Sequence, residues 1–301
     1  MRRRVSGVLL LDKPVGITSN HALQAVKRIF RAAKAGHAGT LDPLASGLLP
    51  VLLGEATRFS GYLLNAEKGY EAEIKLGATT TTGDAEGEVL ECKPVNVGGA
   101  DVEAVLARFL GVQAQVPPMY SALKRDGKPL YVLARRGETV EREPRTIEIL
   151  ELEVVWFKPE RLALRVRCSK GTYIRTLAED IGAALGCGAH LAGLRRTETG
   201  AFRLAEAVPL DGLAKMSEGT RDGLLRPVEE ILVQFPRIDL DEATSSRFSH
   251  GQPVRPEGFC AGVNRVYGPR GRFLGLGEAG IDGTLAPKRL LGERQEDSPS
   301  G

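Results

Sequence analysis

Thr146-Ile-Glu-Ile-Leu-Glu-Leu-Glu-Val-Val-Trp-Phe157 and Leu162-Ala-Leu-Arg-Val-Arg-Cys168 are two strand-like runs joined only by a turn at Lys158-Pro-Glu160. So short a link leaves no room for a crossover helix, so the runs pair antiparallel. Gly171 to Leu185 then reads as a helix. Upstream, Tyr70, Ala72, Ile74 and Leu76 alternate with Glu71, Glu73 and Lys75, the period of a strand with one buried face. Val8 to Asp12 reads as a short buried strand. Ser19 can cap a helix whose Leu23, Val26, Ile29, Phe30 and Ala33 recur at helical spacing, and Asp101 to Leu110 repeats likewise. Strands in adjacent runs, with helices between some of them, predict an α+β fold. Its core is a largely antiparallel mixed central sheet flanked by helices and loops.

The pattern changes near Phe235-Pro236. Beyond it come a predicted helix, Asp241 to Ser249, and Gly-punctuated strands through Val263 to Tyr267 and Arg272 to Gly277. The expected division is therefore 1–236, a small β-barrel at 237–292, and a polar, disordered tail at 293–301. At 301 residues, 42% hydrophobic and 26% charged, the chain is not collagen, coiled coil or wholly disordered. No apolar run approaches the roughly 18 to 20 residues of a membrane span. Val8 to Leu11 is also too short for a secretion signal, so a cytoplasmic protein without a membrane partner is expected. Cys92, Cys168, Cys187 and Cys260 are widely spaced, as are His21, His37, His190 and His250, which predicts neither disulfides nor a metal site.

The net charge of +3 is unevenly spread. Residues 1–41 hold eight Lys/Arg (Arg2, Arg3, Arg4, Lys13, Lys27, Arg28, Arg31, Lys34) against Asp12 alone. Arg161 to Arg175 adds five cations without an acid, and Arg195-Arg196 follow. Patches of this kind suit a polyanion such as nucleic acid, although solvated faces explain them equally well.

Three short motifs need weighing. Gly275-Leu-Gly-Glu-Ala-Gly280 spells a dinucleotide-binding pattern, but Ile281-Asp-Gly-Thr-Leu-Ala-Pro287 cannot form the helix that pattern requires, and a turn in a small barrel fits better. Ser121-Ala-Leu-Lys124 spells the S-x-x-K of serine acyl enzymes without its companion elements. It lies in Val116 to Lys124, where a double proline breaks regular structure and predicts an exposed, partly mobile loop. Gly36-His-Ala-Gly-Thr-Leu-Asp-Pro-Leu-Ala-Ser-Gly47 is too rich in Gly, Pro and Ser for a helix or central strand and reads as a loop. Asp42 within it, between Leu41 and Pro43, is half shielded and open on one side. That setting suits a nucleophilic carboxylate, while by spacing alone a turn-forming Asp fits better.

Four blocks taken together are more specific: Leu11-Asp-Lys-Pro-Val-Gly-Ile-Thr-Ser19, Gly36 to Pro50, Pro117-Pro-Met-Tyr-Ser-Ala-Leu-Lys124, and Cys168-Ser-Lys-Gly-Thr-Tyr-Ile-Arg-Thr-Leu177. In order and spacing, over about residues 6–235, they resemble the bacterial tRNA pseudouridine-55 synthases, the TruB family. The tail, with Val266-Tyr267, Phe273 to Glu278 and Ala286-Pro287, resembles the PUA RNA-binding module. The resemblance implies a pseudouridine synthase fold with a PUA-like barrel and isomerisation of uridine 55 in the tRNA T loop. It implies base flipping, attack or deprotonation by an aspartate, and no cofactor or metal. A monomer is expected, and tRNA refolding can accompany the chemistry. Asp42 matches the family's catalytic aspartate, Tyr70 the tyrosine that stacks on the base and moves a proton, and Arg175 the arginine that pairs with the carboxylate. His37, Tyr173 and Leu194 match positions lining the flipped nucleotide, and Lys13 and Pro14 a supporting motif. Ala38 departs from the pattern where many members carry threonine or another residue, which puts any hydroxyl contact there in doubt. A non-catalytic RNA-binding protein would not need Asp42 with Tyr70 and Arg175, and a hydrolase built on Ser121 is the remaining alternative.

Overall fold

The computed structural model describes residues 2–125 and 127–292; the tail expected at 293–301 lies outside them. Its centre is a ten-stranded mixed sheet. Along the main path the order is Val208–Pro209, Gly7–Lys13, Ala45–Leu53, Ala189–Thr199, Lys68–Leu76, Arg161–Cys168, Arg145–Lys158 and Gly111–Gln115. Two pairings are parallel, Gly7–Lys13 with Val208–Pro209 and Ala45–Leu53 with Ala189–Thr199, and the rest of the path is antiparallel. The hairpin at Lys158 to Arg161 forms as the sequence dictates, with Lys158 opposite Arg161.

Alternation along Lys68–Leu76 buries Tyr70, Ala72, Ile74 and Leu76. Against this face pack the helices Ser19–Ile29, Gly99–Leu106 and Ile174–Ala184, through Ala22, Leu23, Val26, Val102, Val105, Leu177, Ala178 and Ile181. Burial of such side chains stabilises by roughly 1.5–3 kcal/mol each, which makes this the main driving force for the fold.

Four local expectations change. Thr18, not Ser19, caps the first helix, its hydroxyl oxygen accepting the His21 N–H at 3.1 Å; that helix ends at Ile29, so Ala33 lies beyond it and is exposed. The Gly36–Gly47 stretch is a loop only from Ala38 to Leu44, because Ala35–His37 and Ala45–Leu53 pair as strands on either side. The helix after Gly171 starts at Ile174, since Gly171 takes φ +80 and Tyr173 is extended. The Val116–Lys124 loop is not uniformly exposed, for Pro117 and Ser121 are buried.

The C-terminal part is a four-stranded sheet, Arg237–Asp239, Gly262–Gly268, Arg272–Ala279 and Leu285–Leu290, with the helix Glu242–Ser249 capped by Asp241. Gly275 and Gly277 lie within a strand: a Cβ on Gly275 would strike the Arg289 backbone and one on Gly277 the Leu285 side chain, so close strand packing explains the pattern. A second apolar cluster joins the two parts, with Val8, Leu10, Leu48 and Leu52 from the large sheet, Phe59 from the short helix Gly54–Phe59, and Tyr267, Phe273 and Leu276 from the small sheet. Phe59 and Phe273 pack with ring centroids 6.2 Å apart. No helix among the described residues is long and apolar enough to cross a membrane.

Candidate active site

Asp42 stands in the Ala38–Leu44 loop, whose backbone is fixed along its length. The Ala38 N–H donates to the Pro50 carbonyl (3.0 Å), the Gly16 N–H to Pro43 (2.8 Å) and the Ala45 N–H to Asp42 itself (3.1 Å). The buried Ser19 hydroxyl grips Leu41 twice, accepting its N–H at 2.7 Å and donating to its carbonyl at 2.9 Å. The backbone is held while the carboxylate stays open, 40% of the side chain being exposed. Ala38 belongs to the second apolar cluster, so its side chain meets hydrophobic neighbours.

Arg175 lies in the first turn of the helix Ile174–Ala184 and its side chain is 5% exposed. Its Nε lies 3.0 Å from Asp42 Oδ2 and 3.6 Å from Asp84 Oδ2. Nη1 donates to the Thr82 carbonyl (3.1 Å) and Nη2 to the Tyr120 carbonyl (2.6 Å). Asp84, only 5% exposed, is held in turn by the Thr82 hydroxyl (2.6 Å) and the Glu86 N–H (3.1 Å). One guanidinium thus serves two carboxylates, one closed and one open. Burial pushes the Asp42 carboxyl above its ordinary value, Arg175 pulls it back and the Asp84 charge raises it further. The net direction is upward: pairing with arginine alone argues for a low pKa, and desolvation outweighs it.

Tyr70 is buried on its strand, in register with Val166 on one side and Arg196 on the other. Burial raises its phenol pKa, with Arg196 opposing. Tyr173 is half-buried at the start of the Arg175 helix; the Gln115 side-chain amide accepts its N–H (2.8 Å) and donates to its carbonyl (3.1 Å). Burial raises that phenol too. Lys13 is wholly buried, its Nζ donating to the carbonyls of Pro14 (2.8 Å) and Ile17 (2.7 Å); burial lowers it to about 8 while Asp42 opposes. Pro14 itself is exposed and supplies only that carbonyl. His37 is half-buried at a strand end, and burial lowers its imidazole, with Arg196 acting in the same direction. Leu194 is half-buried between Ala45 and Ala72. The structure therefore brings Tyr70, Tyr173, Arg175 and Lys13 each within electrostatic reach of Asp42. His37 ends the strand before the Asp42 loop, and Leu194 lies opposite Ala45, which opens the strand after it.

A profile of the TruB family pseudouridylate synthase N-terminal domain matches residues 27–174. That of the tRNA pseudouridylate synthase B C-terminal domain matches 175–233, and that of pseudouridine synthase II TruB, C-terminal, matches 236–291. The chain is 55% identical to tRNA pseudouridine synthase B of Pseudomonas fluorescens (strain Pf0-1), over 97% of both proteins, and 56% identical to that of Burkholderia mallei (strain NCTC 10247), over 96% of this chain and 98% of the relative. The chain belongs to the TruB pseudouridylate synthase family. A solved structure of a Cbf5-Nop10-Gar1 complex contains a chain 30% identical to it, with TM-score 0.70, covering 91% of this chain and 78% of that one. An H/ACA RNP bound to a substrate RNA containing 2'-deoxyuridine gives TM-score 0.73 at 26% identity, over 96% and 86%. The pseudouridine synthase fold with its C-terminal PUA-like part is thereby placed.

Against this TruB frame, residue-by-residue reading missed Asp84, Ser19 and Arg196. Asp84 ends Thr79-Thr-Thr-Thr-Gly-Asp84, which looks like any polar turn. Arg196 looks like one half of a surface basic pair, yet only Arg195 is partly exposed, bonded to Asp12 at 2.8 Å. The expected patch at Arg161 to Arg175 is not a free positive surface: Arg161 pairs with Glu73, Arg165 with Glu153, and Arg167 with Glu67 and Glu151. Ser121 is buried and Lys124 is exposed, so no acyl-transfer pair forms. Among those residues no group of His, Cys, Asp and Glu could hold a metal.

Proposed function

We propose that this tRNA pseudouridine synthase works on uridine 55 of the T loop with Asp42 as its reacting group. The carrying observation is the half-open Asp42 carboxylate, 3.0 Å from a buried arginine. The net reaction is an isomerisation: the bond from ribose C1′ to N1 breaks, the uracil turns within the site, C1′ bonds to C5, and the proton lost from C5 is balanced by one gained at N1. Asp42 starts it by attack on C1′ or by deprotonation at C2′. Arg175 favours the anion and aims it.

The target base leaves the folded loop before its sugar can be reached. Tyr70 replaces the lost stacking and, with its raised pKa, holds its proton in position for transfer at the base. Tyr173, His37 and Leu194 line the nucleotide, and Lys13, tied to Pro14 and Ile17, supports the floor. Residues 1–236 form the catalytic part and 237–292 an RNA-binding part, in a monomeric, cytoplasmic protein. Lys27, Arg28 and Lys34, beside the Asp42 loop in sequence, make no ion pair among the described residues and meet the phosphates.

The test is incubation of unmodified tRNA with the protein, followed by carbodiimide sequencing and mass spectrometry of the modified position. Pseudouridine at position 55 that disappears with Asp42→Asn is expected; conversion elsewhere, or an active Asp42→Asn, refutes the assignment.

A further inference from the structure

We infer that Arg196 is a positioning residue of the reaction: its guanidinium ties the Asp42 loop to its own strand, which pairs beside the strand that carries Tyr70, and so fixes the spacing of those two groups. The inference rests on the reading that Asp42 and Tyr70 perform the chemistry.

Arg196 is 1% exposed and heads the largest fully buried side chains of the molecule. No carboxylate pairs with it among the described residues. Its Nε donates instead to the Leu48 carbonyl at 2.7 Å, in the strand that leaves the Asp42 loop, and Nη2 to the Gly39 carbonyl at 3.1 Å, within that loop. Its own backbone lies opposite Tyr70 on one side and beside Gly47 on the other. Both glycines are needed as such. Gly39 and Gly47 have φ +92 and +99; a Cβ on Gly39 would sit 3.3 Å from Arg196 Nη1, and one on Gly47 would collide with the Arg196 backbone. An unpaired buried cation is costly, and an apolar side chain of similar volume would fill the space without that cost, so packing does not explain a guanidinium here. What only the fork provides is a bridge from one residue to two segments.

Its charge reaches the same neighbours. Arg196 pulls the Tyr70 phenol down and lowers Lys13, His37 and Lys68, while Asp42 opposes it at Lys13 and Tyr70 and Cys168 at Lys68 and Tyr70. Replacing the guanidinium by a neutral group moves all four upward.

The experiment uses Arg196→Gln and Arg196→Lys in the full-length chain. Single-turnover rate on unmodified tRNA, tRNA Kd by filter binding, thermal unfolding and the pH–rate profile are measured for each. Misplacing a reacting group by about 1 Å costs on the order of 100-fold. A fall of about that size is expected for Gln, with Kd nearly unchanged and the alkaline limb, where Tyr70 titrates, moved to higher pH. Lys should keep the profile in place and recover part of the rate. A folded Arg196→Gln with near-parental rate overturns the inference, as does a rate loss matched by lost binding with the profile unmoved. If neither variant folds, Gly39→Ala decides, because it crowds the guanidinium from the loop side: the same split supports the bridge and an unchanged rate sinks it. Asp42→Asn runs alongside. An active Asp42→Asn defeats the underlying reading, whereas an inactive one beside active Arg196 variants defeats this inference alone.

Discussion

Arg175 and Arg196 are both buried, both reach the Asp42 loop, and are treated by the protein in opposite ways. Arg175 meets two carboxylates, Asp42 and Asp84, and two carbonyls. Arg196 meets carbonyls alone. Where a counter-charge is present the arginine governs the ionisation of its partner; where there is none, its hydrogen bonds hold shape, and its charge reaches only groups it is not paired with. A buried arginine is therefore not one kind of feature, and its partners decide what its loss will do.

The largest effect belongs at the charged pole. Asp42→Asn keeps the shape and removes the anion, so the single-turnover rate should fall to background while tRNA Kd stays nearly constant. An amide that retained most of the rate would collapse the distinction between the poles. Next comes Tyr70, at the shape-controlling pole. Tyr70→Phe should lose the proton-transfer contribution, of order 100- to 10,000-fold, yet keep the base stacked. Tyr70→Ala should also lose stacking, roughly 1–3 kcal/mol of binding; equal affinity in the two variants would rule stacking out. Asp84→Asn sharpens the comparison from the side. It leaves Arg175 one carboxylate, and because the Asp84 charge raises the Asp42 carboxyl, the acid limb of the rate profile should move to lower pH, with a rate loss of about tenfold or more. An unmoved limb would deny the coupling.

Ser19→Ala is a smaller probe. It removes both hydrogen bonds to Leu41 and should cost about 1–3 kcal/mol in a denaturation measurement, with a lesser fall in rate. The smallest effect repeats the contrast on the surface. Neutralising the paired Arg161, Arg165 and Arg167 should hardly change the salt dependence of tRNA binding, whereas neutralising Lys27, Arg28 and Lys34 should lower its slope by about one per cation. The reverse ranking would return the docking surface to Arg161–Arg175.

What sequence reveals follows the same line. The alternating strand at Tyr70 to Leu76, the Lys158 turn and the C-terminal helix were legible because period and turn chemistry are local. Asp42, Tyr70 and Arg175 were legible only through blocks of residues that resemble a family, since nothing local separates Asp42 from a turn aspartate. Asp84 was hidden because its significance comes from Arg175, 91 positions away in the chain. Arg196 was hidden because the pleat, not the sequence, sends one arginine of a pair inward and the other out. Charge counting failed at Arg161–Arg175 for a related reason: the carboxylates that neutralise it come from other strands and from Glu67, just before the Lys68–Leu76 strand.

The apolar cluster shared by the two parts has a consequence for how the chain can be dissected. Phe59 against Phe273, the Arg289 side chain on the Arg58 carbonyl and Gly292 on Glu55 make the junction a seam rather than a tether. Cutting at residue 236 is then not a clean subtraction of RNA contacts. It would uncover Val8, Leu10, Leu48 and Leu52, so an inactive truncation would report a wetted interior before it reported anything about tRNA. The two parts should melt together in one calorimetric transition, each acting as part of the other's interior.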